Sequence, residues 1–61
     1  MKLKIEITME NAAFEDGSGA EAARILRKLA DRIAGENCTP GDVTPCIDIN
    51  GNKVGKAVVT R

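Results

Sequence analysis

Histidine, tryptophan and tyrosine are absent from this 61-residue chain, and Phe14 is its one aromatic residue. Without histidine there is no imidazole to act as a general base, to complete a catalytic triad or to bind a metal. The two cysteines, Cys38 and Cys46, are too few for a structural zinc site by themselves. One aromatic side chain offers no platform on which nucleobases could stack. We therefore expect a protein that is not an enzyme and that binds no metal or cofactor.

An excess of either charge is also missing, because nine Lys and Arg residues balance nine Asp and Glu residues. A neutral chain has no global field that would attract nucleic acid or an anionic membrane. No apolar run approaches the roughly 18 residues of a membrane span, and the N-terminus does not resemble a signal peptide. We expect a cytoplasmic protein without a membrane partner. In that compartment Cys38 and Cys46 are expected to be reduced, although a disulfide between them is geometrically conceivable.

The short chain predicts one small domain spanning residues 1–61. A chain of this size buries only about 60% of its unfolded surface, so its core is marginal. Small domains are commonly stabilised by a disulfide, a metal or a second subunit. A homodimer is therefore one expected state.

The most regular stretch is an amphipathic run that predicts a helix over residues 18–34. Ser18 followed by Glu21 fits a capping box at its start, and Gly35 fits a left-handed cap at its end. An apolar stripe recurs at helical spacing and is expected to close the core. Its members are Ala22, Ile25, Leu26, Leu29 and Ile33. Phe14, in the acidic connection before the helix, is expected to fold over one end of the helix and join the core.

Three other segments predict strands. Residues 2–9 alternate polar and apolar side chains, so Leu3, Ile5, Ile7 and Met9 share the core face. Residues 43–49 alternate again, which predicts Val43, Ile47 and Ile49 inside and Thr44, Cys46 and Asp48 outside. Residues 53–60 form the returning strand of a hairpin whose turn is Asn50-Gly51.

These elements predict an α+β fold of order β-α-β-β, with one helix packed on one face of a three-stranded antiparallel sheet. Pro45 lacks a ladder donor and so places the second strand at an edge, which gives the strand order 1-3-2. The turn pairs Asp48 with Lys53. Beyond that pair two registers remain open: a regular ladder that points Lys56 toward the helix, or a bulge at Gly55 that turns Lys56 outward. The bulge would instead bring Ala57 and Val59 inward.

Two surfaces are left for a partner. The uncovered sheet face is expected to carry a small apolar centre drawn from Gly55, Ala57 and a valine, ringed by polar residues. The predicted ring contains Lys2, Lys4, Glu6, Thr8, Thr44, Cys46 and Asp48. The other surface is the basic side of the helix. The candidate partner-binding residues are Arg24, Arg27, Lys28, Arg32, Lys4 and Lys56.

The segments LKIEITMENAAFEDGSGAEAARILRKLADRI and DINGNKVGKAVVT resemble a group of short uncharacterised proteins of bacteriophages and prophages. The shared pattern is a strand, Asn-Ala-Ala-Phe, an Ala-Arg-Ile-Leu helix and an Asp-Ile-Asn-Gly-Asn hairpin. The resemblance implies a small phage product in the bacterial cytoplasm but transfers no functional residue. It favours a non-catalytic protein that binds a host or phage protein, such as an inhibitor of a bacterial defence system of the anti-CRISPR kind. The alternatives are a nucleic-acid-associated accessory protein that uses the basic helix face, and a structural or assembly protein.

Overall fold

A three-stranded sheet with one helix on one face forms the whole molecule, and the computed structural model describes residues 1–61. In chain order the elements are strand β1 (Lys2–Ile7), a 3-10 turn (Ala12–Phe14), helix α1 (Ser18–Ala34), strand β2 (Val43–Ile47) and strand β3 (Lys53–Thr60). The sheet order is β1-β3-β2, and both strand pairs are antiparallel. The predicted α+β class, the strand order and the edge position of Pro45 are confirmed.

Helix α1 has the predicted bounds, but both predicted caps are wrong. Gly17 is the N-cap, with a φ of 88°, and no side chain caps the first turn. Ser18 is already helical. The carboxylate of Glu21 does not reach back to the helix start because it bonds to Arg24 and to the hairpin loop. Gly35 has a right-handed conformation, with a φ of −80°, so it is not a left-handed cap.

A bulge in β3 decides between the two registers. The predicted pair of Asp48 with Lys53 is wrong, because the loop spans residues 48–52 and Ile47 pairs with Lys53. Cys46 pairs with Gly55, which leaves Val54 as an extra residue on β3. Beyond the bulge Ala57 and Val59 are buried and Lys56 is exposed. The bulged alternative is therefore confirmed, with Val54 rather than Gly55 as the extra residue.

The bulge also reverses the predicted faces of β2. Thr44 pairs with the inward-facing Ala57, so Thr44 and Cys46 face the helix, and Cys46 is only 2% exposed. Val43, predicted to lie inside, is 56% exposed. Side chains do alternate along β2 as predicted, but the prediction of which ones face the helix was wrong. The extra residue in β3 decides which side chains of β2 face the helix.

The core lies between α1, the 3-10 turn and the β2–β3 half of the sheet. It contains Phe14, Ile25, Leu29, Cys46, Val54 and Ala57. The prediction that Phe14 joins the core is confirmed.

Several residues predicted to be in the core are largely exposed. Their exposed fractions are Leu3 47%, Ile5 41%, Met9 43%, Leu26 42%, Ile47 38% and Ile49 67%. The helix packs on β2 and the 3-10 turn, so it leaves the inner side of β1 incompletely covered. The strands end at Ile7 and Ile47, which places Met9 and Ile49 in loops.

Candidate protein-binding surface

The face of the sheet opposite α1 has no covering layer, and we call it the outer face. Its residues follow from the pairing register and from the alternation of buried and exposed side chains. They are Lys2, Lys4, Glu6, Val43, Pro45, Ile47, Lys53, Lys56, Val58 and Thr60.

The outer face divides into a charged half and an apolar half. The charged half follows β1, and the apolar half follows β2, with β3 between them. Two cross-strand rows illustrate the division: Lys4–Val58–Val43 and Glu6–Lys56–Pro45. Of the centre predicted for this face only the valine, Val58, is present. The prediction that Ala57 lies on this face is wrong, because the bulge places its side chain in the core.

The outer face is positively charged although the chain is neutral. Four lysines and one glutamate give it a formal charge of 4 − 1 = +3, against +0 for the whole chain. The one ion pair of the molecule joins Arg24 and Glu21, on the helix. The ammonium groups of Lys2, Lys4 and Lys56 are therefore free to meet carboxylates of a partner.

The six predicted partner-binding residues do not form one site. Lys4 and Lys56 lie on the outer face, whereas Arg27, Lys28 and Arg32 are exposed on α1, on the other side of the sheet. The sequence alone could not show that these two groups of residues lie on opposite sides of the molecule.

Arg24 differs from the other five because its guanidinium is engaged within the fold. Its Nε donates to Glu21 Oε1 at 2.7 Å, and its Nη2 donates to Glu21 Oε2 at 3.1 Å and to the Ile47 carbonyl at 3.3 Å. The hydrogen bond to Glu21 raises the pKa of Arg24 above its usual value. This arginine joins the helix to the end of β2.

Two buried carboxylates hold the hairpin loop against the helix, and sequence reasoning missed both. Glu21 is 7% exposed and accepts the amide of Ile49 at 2.8 Å in addition to its bonds from Arg24. The hydrogen bond from Arg24 is the main reason that the pKa of Glu21 lies below its usual value, although burial opposes it.

Asp48, predicted to lie on the outer face, is 3% exposed and points into the loop. It accepts hydrogen bonds from Asn11 Nδ2 at 2.7 Å, from the Asn50 amide at 2.9 Å and from the Asn52 amide at 2.8 Å. Burial by itself would raise the pKa of Asp48, but these hydrogen bonds outweigh it and lower the pKa. The signal for this role was Asp48 at the head of an Asn-Gly turn, where an aspartate commonly bonds to the backbone two residues on.

These two carboxylates are suited to structure rather than to proton transfer. Both are held in the ionised form, and hydrogen-bond donors of the protein surround their oxygens. The two cysteines are free thiols, and burial raises the pKa of Cys46 even though Arg32 opposes the shift. No set of three or more His, Cys, Asp or Glu side chains is grouped as a metal site would require.

None of the helices combines the length and apolar character that crossing a membrane would need. Comparison of the chain with protein-family models, with curated proteins and with solved structures found no match. The outer face therefore has to be interpreted from its own chemistry.

Proposed function

We propose that this protein is a non-catalytic binding module that docks on an acidic surface of another protein through its outer face. The observation that carries the proposal is the composition of that face, in which unpaired lysines border an apolar strip on an uncovered sheet. Following the phage-like sequence pattern, the expected partner is a host protein, and inhibition of a defence component is the expected consequence.

The apolar strip favours a protein partner over nucleic acid. Val43 and its neighbour Val58 offer a contact that a protein surface can bury but a phosphate backbone cannot use. The outer face contains no aromatic side chain for base stacking.

The outer face also suits docking better than the basic side of α1 does. The exposed cations Arg27, Lys28 and Arg32 surround Asp31, which lowers the local positive charge. Long charged side chains on a helix are commonly solvated and contribute little by themselves. The outer face adds apolar area to its charge.

The test is affinity capture with matched charge-reversal variants. The chain is immobilised through a C-terminal tag and incubated with a bacterial lysate, and bound proteins are quantified by mass spectrometry. Lys4→Glu/Lys56→Glu alters the outer face, and Arg27→Glu/Lys28→Glu makes the same change of charge on α1. The variants are compared by circular dichroism to verify that each is folded.

The proposal expects a stoichiometric partner that the outer-face variant loses and the helix variant retains. A direct titration of the purified partner should show the same order of affinities. Loss with the helix variant alone would contradict the proposal. Capture of nucleic acid instead of protein, with affinity falling steeply as salt rises, would support the accessory-protein alternative.

A further inference from the structure

Strand β1 forms an open edge of the sheet, and the direction of its free hydrogen-bonding groups follows from the observed bonds. Thr8 donates its amide to the Val54 carbonyl at 2.7 Å, toward β3. Val59, the residue opposite Leu3, bonds to Gly41 and Asp42 on the other side of β3. Because these directions alternate along a strand, the backbone groups of Leu3 and of every second residue after it, to Ile7, point toward the open edge.

The two edges of the sheet are not equally protected. On β2, Pro45 has no amide hydrogen to offer. On β1 the sequence KLKIEI contains neither proline nor glycine, and its six residues pair with β3 without a bulge. Natural sheets usually protect such an edge, because an unprotected one is a template for another strand.

An apolar groove runs along the same edge, on the helix side of the sheet. Every residue that lines it is apolar: Leu3, Ile5, Leu26, Leu29, Ala30, Ile33 and Ala34. Leu3, Ile5 and Leu26 remain more than two-fifths exposed. An open edge and an open apolar groove therefore lie side by side.

The molecule is more open than a monomer of its mass should be. A monomeric protein of 6.5 kDa is expected to expose about 3,800 Å², whereas this chain exposes 4338 Å². Its radius of gyration is 11.9 Å, against about 10.5 Å expected for 61 residues. Each chain therefore exposes about 500 Å² more surface than expected. If two copies buried this excess against each other, the interface would reach the roughly 1,000 Å² that a specific interface needs.

We propose that two copies of this chain associate through β1 about a two-fold axis, with Ile5 of each copy opposite Ile5 of the other. In this register Leu3 lies opposite Ile7 of the second copy. All three residues then exchange backbone hydrogen bonds, because their free groups point outward. Both helices lie on the same side of the joined sheet, so the two apolar grooves face each other and close.

Charge selects this register. Lys4 lies opposite Glu6 of the second copy, and the symmetry repeats the pair. A register shifted by two residues would also keep two opposite-charge pairs, Lys2 with Glu6 of the second copy, but it would add a repulsive pair by placing Lys4 opposite Lys4. Lys2 lies opposite the uncharged Thr8 in the proposed register.

The test is sedimentation equilibrium of the whole chain, with variants that separate this register from general charge effects. Lys4→Glu replaces two attractive cross-strand pairs with two repulsive ones, so the dimer should dissociate on the order of tenfold more readily. The double variant Lys4→Glu/Glu6→Lys restores opposite charges and should restore the dimer. Lys2→Glu makes the same change of charge as Lys4→Glu and should have little effect.

Hydrogen exchange gives a second readout. The amides of Leu3, Ile5 and Ile7 should become protected as the protein concentration rises, whereas those of Lys4 and Glu6, bonded to β3, should be protected at every concentration. A chain that stays monomeric at millimolar concentration would overturn the proposal. So would a dimer that Lys2→Glu weakens as much as Lys4→Glu does, or that leaves the three edge amides unprotected.

This inference does not depend on the proposed function. Val43→Glu changes the outer face on β2, which β3 separates from β1, so it should weaken partner binding without changing the dimer. Failure of one proposal is therefore visible separately from failure of the other.

Discussion

Gly55 is the position at which a single methyl group should do most damage. A Cβ added there would lie 1.9 Å from the carbonyl oxygen of Glu6 and 2.9 Å from the Cα of Ile7. Both are backbone atoms of β1, so no side-chain rotation relieves the overlap. Gly55 lies beside the Val54 bulge, and the close approach of β1 to β3 at this point requires a residue without a side chain.

Gly55→Ala should therefore separate the end of β1 from β3. Overpacking of a tight site costs about 1–3 kcal/mol, and an overlap with backbone belongs at the upper end of that range. A chain of this length has a total stability of roughly 3–9 kcal/mol. A loss of about 3 kcal/mol corresponds to a fall in Tm of roughly 12–24 °C for a domain this small. The variant is expected to be partly unfolded at 37 °C.

The assay is thermal and urea unfolding followed by far-ultraviolet circular dichroism, with Gly19→Ala as the matched control. Gly19 lies in the first turn of α1, and an added Cβ there has no neighbour within 4 Å. The same substitution should leave stability unchanged there or raise it by up to about 1 kcal/mol, because alanine favours a helix. Equal stability of Gly55→Ala and the parent protein would refute the close approach of the strands.

Three other outcomes follow from the core and the buried network. Glu21 and Asp48 have pKa values below those of the unfolded chain, so their contribution to stability is complete above about pH 5 and is lost as the pH falls through their folded pKa values. Urea midpoints should accordingly be flat from pH 5 to 7 and fall steeply below pH 4, and a smaller fall in Asp48→Asn would identify its source. Thiol reagents should modify Cys38 quickly and the buried Cys46 only as the protein unfolds; equal rates would contradict the burial of Cys46. Leu29→Ala should cost about 2–5 kcal/mol in urea unfolding, because Leu29 is buried in the core, and a loss below 1 kcal/mol would contradict that position.

The elements and their order could be predicted because each depends on local information. The apolar spacing in residues 18–34 gave the helix its exact bounds, and Pro45 identified an edge strand. Strand faces were predicted correctly for β1, where the alternation is regular and no bulge intervenes. The N-terminal cap of the helix was predicted incorrectly, because the carboxylate of Glu21 accepts a hydrogen bond from the amide of Ile49, in a loop 28 residues away.

The faces of β2 could not be predicted, because they depend on a bulge in a different strand. The extra residue, Val54, changes which side chains of β2 face the helix at every paired position beyond it. Neither strand has a local sequence feature that predicts the bulge. For the same reason the apolar half of the candidate surface was missed. Val43 was expected in the core, and its place on the outer face follows only from its pairing with Val58.

The neutral composition concealed a basic surface. Two of the nine acidic groups, Glu21 and Asp48, are buried, whereas only Arg24 among the nine basic groups is bound to them. The groups left for solvent are therefore eight basic and seven acidic, a net charge of +1, of which the outer face carries +3 and the rest of the surface −2. If two copies join through β1, their outer faces become one surface of six strands, with a formal charge of 3 + 3 = +6. An acidic partner would then meet two apolar strips and twice the charge at once. Dimerisation and partner binding should accordingly reinforce each other. Lys4→Glu should weaken both, whereas Val43→Glu, on the far strand β2, should leave the dimer unchanged when it is measured without the partner.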